Sequence, residues 1–170
     1  MSTKLSLFLI GCLLYLPFIT VGQPTESDSI ALSKLITDFK ASITTKDSVR
    51  FDSLFFGESV AFTGIMSKAT EWSIKKGYPE FQGLAVSNHQ SFIQDICQSP
   101  KKAEEVFRNV QLSNDGAIGS ISFDYAFYSD GHMIQWGNEK WNVVKDGEHW
   151  RITDVVYSIH FPKIEPFPFE

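Results

Sequence analysis

Between Ser29 and Thr45, Ile30, Leu32, Leu35, Ile36, Phe39 and Ile43 recur at mostly three- and four-residue spacing, which predicts an amphipathic helix. Asp47 or Ser48 can cap a short second helix over 48–54, and SVAFTGI (59–65) alternates as a short strand. The next stretch, MSKATEWSIKKGYPEFQGLA, is interrupted by Gly77, Pro79 and Gly83 and reads as a loop crossing a surface or an opening. SNHQSFIQDIC (87–97) places Phe92, Ile93 and Ile96 on one face of a third helix, which Ser99-Pro100 ends.

After Pro100 the period changes to two. EEVFRNVQLS, AIGSISFDYAFYS, HMIQWGNEKWNVVK and EHWRITDVVYSIHF are separated by Asn114-Asp115-Gly116, Asp130-Gly131 and Asp146-Gly147, which predicts four consecutive antiparallel strands. Ile121, Phe123, Tyr125 and Phe127 share one face, and Ser120, Ser122, Asp124 and Ala126 the other, wetter one. Helices first and a meander second make the class α+β. The final FPKIEPFPFE, rich in Pro and Phe, reads as an extended tail over the surface in residues 161–170.

Residues 1–22, MSTKLSLFLIGCLLYLPFITVG, carry Lys4 followed by an apolar run with small residues at Thr20 and Gly22. That is the pattern of a signal peptide cleaved near Gly22/Gln23, and Pro17 argues against a retained membrane anchor. Leu9-Ile10-Gly11-Cys12 has the shape of a lipobox, but lipidation of Cys12 would leave LLYLPFITV on the mature chain. Simple cleavage and export, periplasmic or secreted, is the preferred expectation, with no stable membrane insertion afterwards.

Charge narrows the partners. Of 15 basic and 20 acidic residues in the 170-residue chain, cleavage removes one lysine and no acid, so the mature 148 residues carry a net charge of −6. Nucleic acid is not expected, because the only basic pairs are Lys75-Lys76 and Lys101-Lys102, too few for a phosphate-binding face. With Cys97 the only mature cysteine, an intrachain disulfide is impossible, so packing alone must stabilise the single domain expected over 23–160.

The element order, with FDSLF (51–55), WNVVKDG (141–147) and HWRI (149–152) ending in Val-Val-Tyr-Ser, resembles the nuclear transport factor 2-like superfamily, in its branch of small exported SnoaL-like proteins. The resemblance covers about residues 28–160 and implies a curved antiparallel sheet wrapped around the long N-terminal helix, a cone of the cystatin-like α+β roll type. In the superfamily's ketosteroid isomerases a tyrosine on the first helix and a late-strand acid form an oxyanion hole, and an aspartate in the first strand is the base. Those positions fall on Phe39 and Thr63, which lack the hydroxyl and the carboxylate, with the late acid near Glu139 or Lys140. That mechanism is therefore not expected.

Glu139, in phase with Trp141, could point into an aromatic pocket with a raised pKa, unless a bulge at Gly137 turns it outward. His89 is the one histidine of interest as a base, because scytalone-dehydratase-like relatives use histidines. The four histidines show no metal-ligand spacing, and neither a metal nor an organic cofactor is expected. Trp72, Tyr78, Phe92, Tyr125, Trp136 and Trp141 could line the cone, with Arg108 to meet an anionic ligand. The expectation is an exported domain that binds a small apolar or aromatic molecule, possible as a homodimer. The alternatives are an isomerase, dehydratase or cyclase using Glu139 or His89, and a protein-interaction domain.

Overall fold

The computed structural model describes residues 25–168, so the expected leader lies outside the described residues. Helix α1 (Glu26–Thr45) begins at Thr25, whose hydroxyl accepts from the Asp28 N–H while the Asp28 carboxylate accepts from the Thr25 N–H, and ends at Lys46 in the left-handed conformation. Its buried stripe is Leu32, Leu35, Phe39 and Ile43. Then follow α2 (Ser48–Asp52), β1 (Ala61–Met66), α3 (Lys68–Lys75), β2 (Leu84–Asn88) and α4 (His89–Gln98). Strands β3 (Ala103–Asn114), β4 (Ile118–Ser129), β5 (His132–Asp146) and β6 (His149–Ile159) form the meander.

The sheet order is β2-β1-β6-β5-β4-β3. Every pair is antiparallel except β1–β6, which is parallel, so the sheet is mixed where an all-antiparallel one was expected. The reason is topological: the chain leaves β1, builds α3, β2, α4 and three strands, and returns beside β1 from the opposite edge of the meander. A second correction concerns 66–85, which is no open loop. Ser67 accepts from the Thr70 N–H and starts α3, and β2 then pairs with β1 through Ile65↔Leu84 and Thr63↔Val86.

Two tight turns set the meander's register. Asp130 and Gly131 both take positive φ between the paired Ser129 and His132, and Gly147 does so between the paired Asp146 and His149. Between Arg108 and Gln111 the register shifts at a bulge with Asn109 at φ 53°, which sharpens the bend of β3. The concave face closes on α1 through an aromatic chain, with Phe39 4.9 Å from Phe51 and 4.5 Å from Trp141 between ring centroids. Near the start of α1, the buried Asp28 accepts from Lys145 Nζ at 2.7 Å and Trp150 Nε1 at 3.1 Å, tying α1 to the β5–β6 turn. The Lys145 bond, with Thr25 assisting, holds the Asp28 carboxyl well below the usual carboxylate range.

Residues 161–168 lie on the outer face, but not as the extended tail expected: the Ile164 and Glu165 N–H groups both donate to the Phe161 carbonyl and close a turn. Trp136 Nε1 donates to the Glu165 carbonyl at 2.8 Å, and Phe167 meets the Trp136 ring edge-on. The Glu165 side chain accepts from Ser67 and Thr70 at the start of α3. Burial opposes its ionisation, but those bonds and His160 outweigh it and hold the carboxyl below its ordinary value. Ala126, expected on the wetter face, is buried; it pairs with Trp136 in this covered region.

Candidate functional site

Strand periodicity decides what enters the cone. On β5, Gln135, Glu139 and Trp141 are in phase and face inward; opposite Glu139 stand Phe123 of β4 and Tyr157 of β6, on the same face. On β3 the same parity brings Glu105 and Phe107 inward, opposite Phe127 and Tyr125. The result is a small interior cavity of about 20 Å³ lined by Phe39, Phe62, Phe92, Glu105, Tyr125, Phe127, Gln135, Glu139 and Tyr157. That is room for about one water, so the cone is nearly filled by its own side chains.

Two glycines make this packing possible. A Cβ on Gly64 would lie 2.8 Å from Tyr157 Cζ, so its absence seats the Tyr157 ring. A Cβ on Gly137 would strike the Ser158 carbonyl at 2.0 Å. Tyr125, the cross-strand partner of Gly137, donates its hydroxyl to that same carbonyl at 2.9 Å.

Two carboxyls are therefore buried in an aromatic interior. Glu139, 5% exposed, accepts from Trp141 Nε1 at 2.5 Å, and burial pushes its pKa up to about 7 against the effect of that bond. Glu105, 4% exposed, is pushed well above the usual carboxylate value by burial and then by the charge of Glu139, while Lys40 acts in the opposite sense. Like charges in one low-dielectric space cannot both ionise easily, so the pair holds a proton into the neutral range. Glu105 Oε2 is buried without a hydrogen-bond partner. Burial, followed by the charge of Glu139, raises both tyrosines, Tyr157 to about 12. Their hydroxyls remain proton donors.

Beside this cavity lies a wider groove of about 310 Å³, between α4, the start of β3 and the β4–β5 hairpin. Phe92, Phe127 and Gln135 line both spaces, so these three side chains form the wall between them. Phe92 and Phe127 meet edge to face at 6.2 Å.

Of the residues singled out in the sequence, Glu139, Phe92 and Tyr125 line the interior cavity, and Trp141 is buried beside it, bonded to Glu139. No bulge forms at Gly137: β5 keeps its register with β4 from Trp136 through Glu139, so Glu139 stays on the inward face. Trp136 faces the other way, stacked on His160 beneath the tail, and Arg108 lies over Phe167 on that outer face. Trp72 and Tyr78, 65% and 74% exposed, are outside the cone, because their segment folds as α3 and its following turn instead of crossing the opening. His89 is fully buried, but it lines neither space. Its Nδ1 accepts from the Val60 N–H at 3.0 Å, its Nε2 bonds Asp52 at 2.9 Å and its ring stacks on Phe55, so neither nitrogen is directed at the cavity. Phe39 does line the cavity, without a hydroxyl, while Thr63 shares the outer face with its partner Val86.

Glu105, Gln135 and Tyr157 were not singled out. The signal for Glu105 was present in its phase with Phe107, but Glu104-Glu105 looks like an ordinary solvated pair.

A six-stranded mixed sheet curved over a long N-terminal helix, with α4 at its mouth, is the cystatin-like fold of nuclear transport factor 2-like proteins. A Nostoc punctiforme protein of unknown function with a cystatin-like fold superposes with TM-score 0.59 at 12% identity, over 85% of this chain and 99% of that one. A nuclear transport factor 2-like protein of unknown function from Silicibacter pomeroyi gives 0.54 at 19% identity, over 81% and 100%. A dehydratase candidate of the same fold family from Streptomyces avermitilis gives 0.58 at 11%, over 80% and 98%. No family model matches the chain. No curated protein matches it either. Identities this low carry the fold alone.

Proposed function

We propose that this chain is a small-molecule-binding cone domain whose ligand puts a hydrogen-bond donor against Glu105 and Glu139 and leaves its apolar body in the groove at the mouth. One observation carries the reading: Glu105 Oε2 is buried, unpartnered and set in a cavity-lining side chain. Buried polar atoms are almost always satisfied, and an acceptor left over beside a second carboxyl invites a donor. The cavity is too small for that ligand as it stands, so Phe92, Phe127 and Gln135 swing aside to join it to the groove. The leader-like residues 1–22 make the domain an exported one in the same reading, and among the described residues no helix is long and apolar enough to cross a membrane.

The test is a thermal-shift screen with phenols, naphthols and hydroxysteroids on the wild type and on the Glu105→Leu/Glu139→Leu double variant. A ligand at a hundredfold its Kd adds about 2.7 kcal/mol, which for a domain of this size is a rise of roughly five to ten degrees. The rise should be lost in the double variant. No response from any compound, or an equal response from both proteins, overturns the reading.

A second reading, proton-transfer catalysis of the isomerase or dehydratase type, is favoured by Glu139 titrating at about 7 beside two tyrosine hydroxyls. Here Glu139 would take or give the substrate proton and Tyr157 would donate to a developing oxyanion. Any turnover found must fall at least a hundredfold in Glu139→Gln, in line with the usual contribution of a general base.

A further inference from the structure

The groove has a charged rim as well as an apolar floor. Phe92, Ile96, Phe127 and Ile134 supply the floor, and Lys101 and Lys102 line the rim with Ser99. A third ammonium reaches the same place, because Lys46 Nζ donates to the Ser99 carbonyl. Lys34, Lys75 and Lys145 are each paired with a carboxylate, whereas none of the three rim lysines is ion-paired among the described residues. The acids nearby are fewer: Asp95 lines the groove, and Asp130 accepts from the Lys102 backbone N–H at 2.9 Å. In a chain with a net charge of −5, the opening beside the interior carboxyls therefore carries locally positive charge.

The cavity and the groove thus have opposite demands. The deep end presents acceptors and would repel an anion. The rim presents donors and would attract one. We infer that the ligand is an amphipathic carboxylic acid, with its carboxylate at Lys101 and Lys102, an apolar or aromatic body over Phe92 and Phe127, and a hydroxyl or amine at Glu105 and Glu139. The inference rests on the binding reading above and adds the polarity of the ligand and its direction of insertion.

Three probes separate the parts: 3-(4-hydroxyphenyl)propionate, its methyl ester, and 3-phenylpropionate, titrated by NMR chemical shift against the wild type, Lys101→Glu/Lys102→Glu and Glu105→Leu/Glu139→Leu. The acid should bind about fivefold more tightly than the ester, as expected for an exposed ion pair. That advantage should vanish in the lysine variant and shrink between about 0.01 M and 1 M salt, where the screening length falls from ~30 to ~3 Å. 3-Phenylpropionate should bind more weakly than the hydroxylated acid in the wild type and lose that deficit in Glu105→Leu/Glu139→Leu, which removes both deep acceptors. Equal binding of acid and ester overturns the rim assignment and leaves the binding reading standing; equal binding of the two acids overturns the deep donor and, with it, the reading on which the inference rests. If none of the three shifts a cavity resonance, both the inference and the reading it rests on fall.

Discussion

Replacing Glu139 by Gln keeps the side chain's size and its acceptor for Trp141 Nε1, and removes only the ionisation. Unfolded, this carboxyl titrates near 4.5; folded, burial pushes it up to about 7. Between those values the native state holds a proton that the unfolded chain has released, so stability is full below about 4.5 and is lost as pH rises through about 7. At 1.36 kcal/mol per pH unit, the 2.5-unit difference amounts to roughly 3 kcal/mol at pH 8. Glu105 shifts in the same direction, so the wild-type slope is at least this steep. Glu139→Gln should therefore match the wild type near pH 4.5 and exceed it at pH 8 by up to roughly 3 kcal/mol, or about 6 to 12 degrees in Tm. Urea denaturation of both proteins from pH 4.5 to 8 measures this. All other titratable groups are common to both proteins, so the difference reports Glu139 together with its effect on Glu105. Parallel curves, or a variant less stable at pH 8 than the wild type, would refute the burial of an ionisable Glu139.

Three further substitutions probe the frame around the cavity. Phe39→Ala removes the ring that joins α1 to Trp141 and should cost about 3–5 kcal/mol in chemical denaturation, as large core truncations do. His89→Leu strands the buried Val60 N–H and should cost about 1–3 kcal/mol while leaving the affinity of any cone ligand unchanged; a loss of affinity equal to that of Glu139→Gln would return His89 to the site. Gly137→Ala forces a Cβ to within 2.0 Å of the Ser158 carbonyl, so β5 and β6 must part and the Tyr125–Ser158 bond must break. A cooperative melt near the wild-type Tm, measured by circular dichroism, would contradict that register.

The meander was legible because each of its strands alternates and each turn carries Asp-Gly or Asn-Asp-Gly, so local chemistry and global fold agree. Residues 66–85 were not, because Gly77, Pro79 and Gly83 punctuate a segment whose two elements are short and mostly exposed, leaving no apolar period to read. The parallel β1–β6 pairing has no local signal either, being set only when β6 returns beside β1. In the site, alternation from Trp141 placed Glu139 correctly. Trp136 is one residue out of phase with the inward set, and the same parity that brings Glu139 inside sends it outside. Aromatic character had suggested a pocket for both tryptophans, and phase separates them.

Parity also explains why the interior chemistry is costly to the chain. Glu105 and Glu139 occupy positions that an ordinary core would give to Leu or Phe, and their neighbours Phe39, Phe107, Phe123 and Trp141 supply the aromatic burial that offsets two desolvated acids. Shifting either strand by one residue would expose the acids, but it would also expose Trp141 or Phe107, so the register that stabilises the fold is the one that buries the carboxyls. Glu105→Leu and Glu139→Leu are sterically simple routes to a more stable cone, and natural chains depart from core packing rules mainly where a site requires it. The buried pair is thus the feature of this molecule that packing does not explain, and the place where a ligand's donor would lower the energy of the fold.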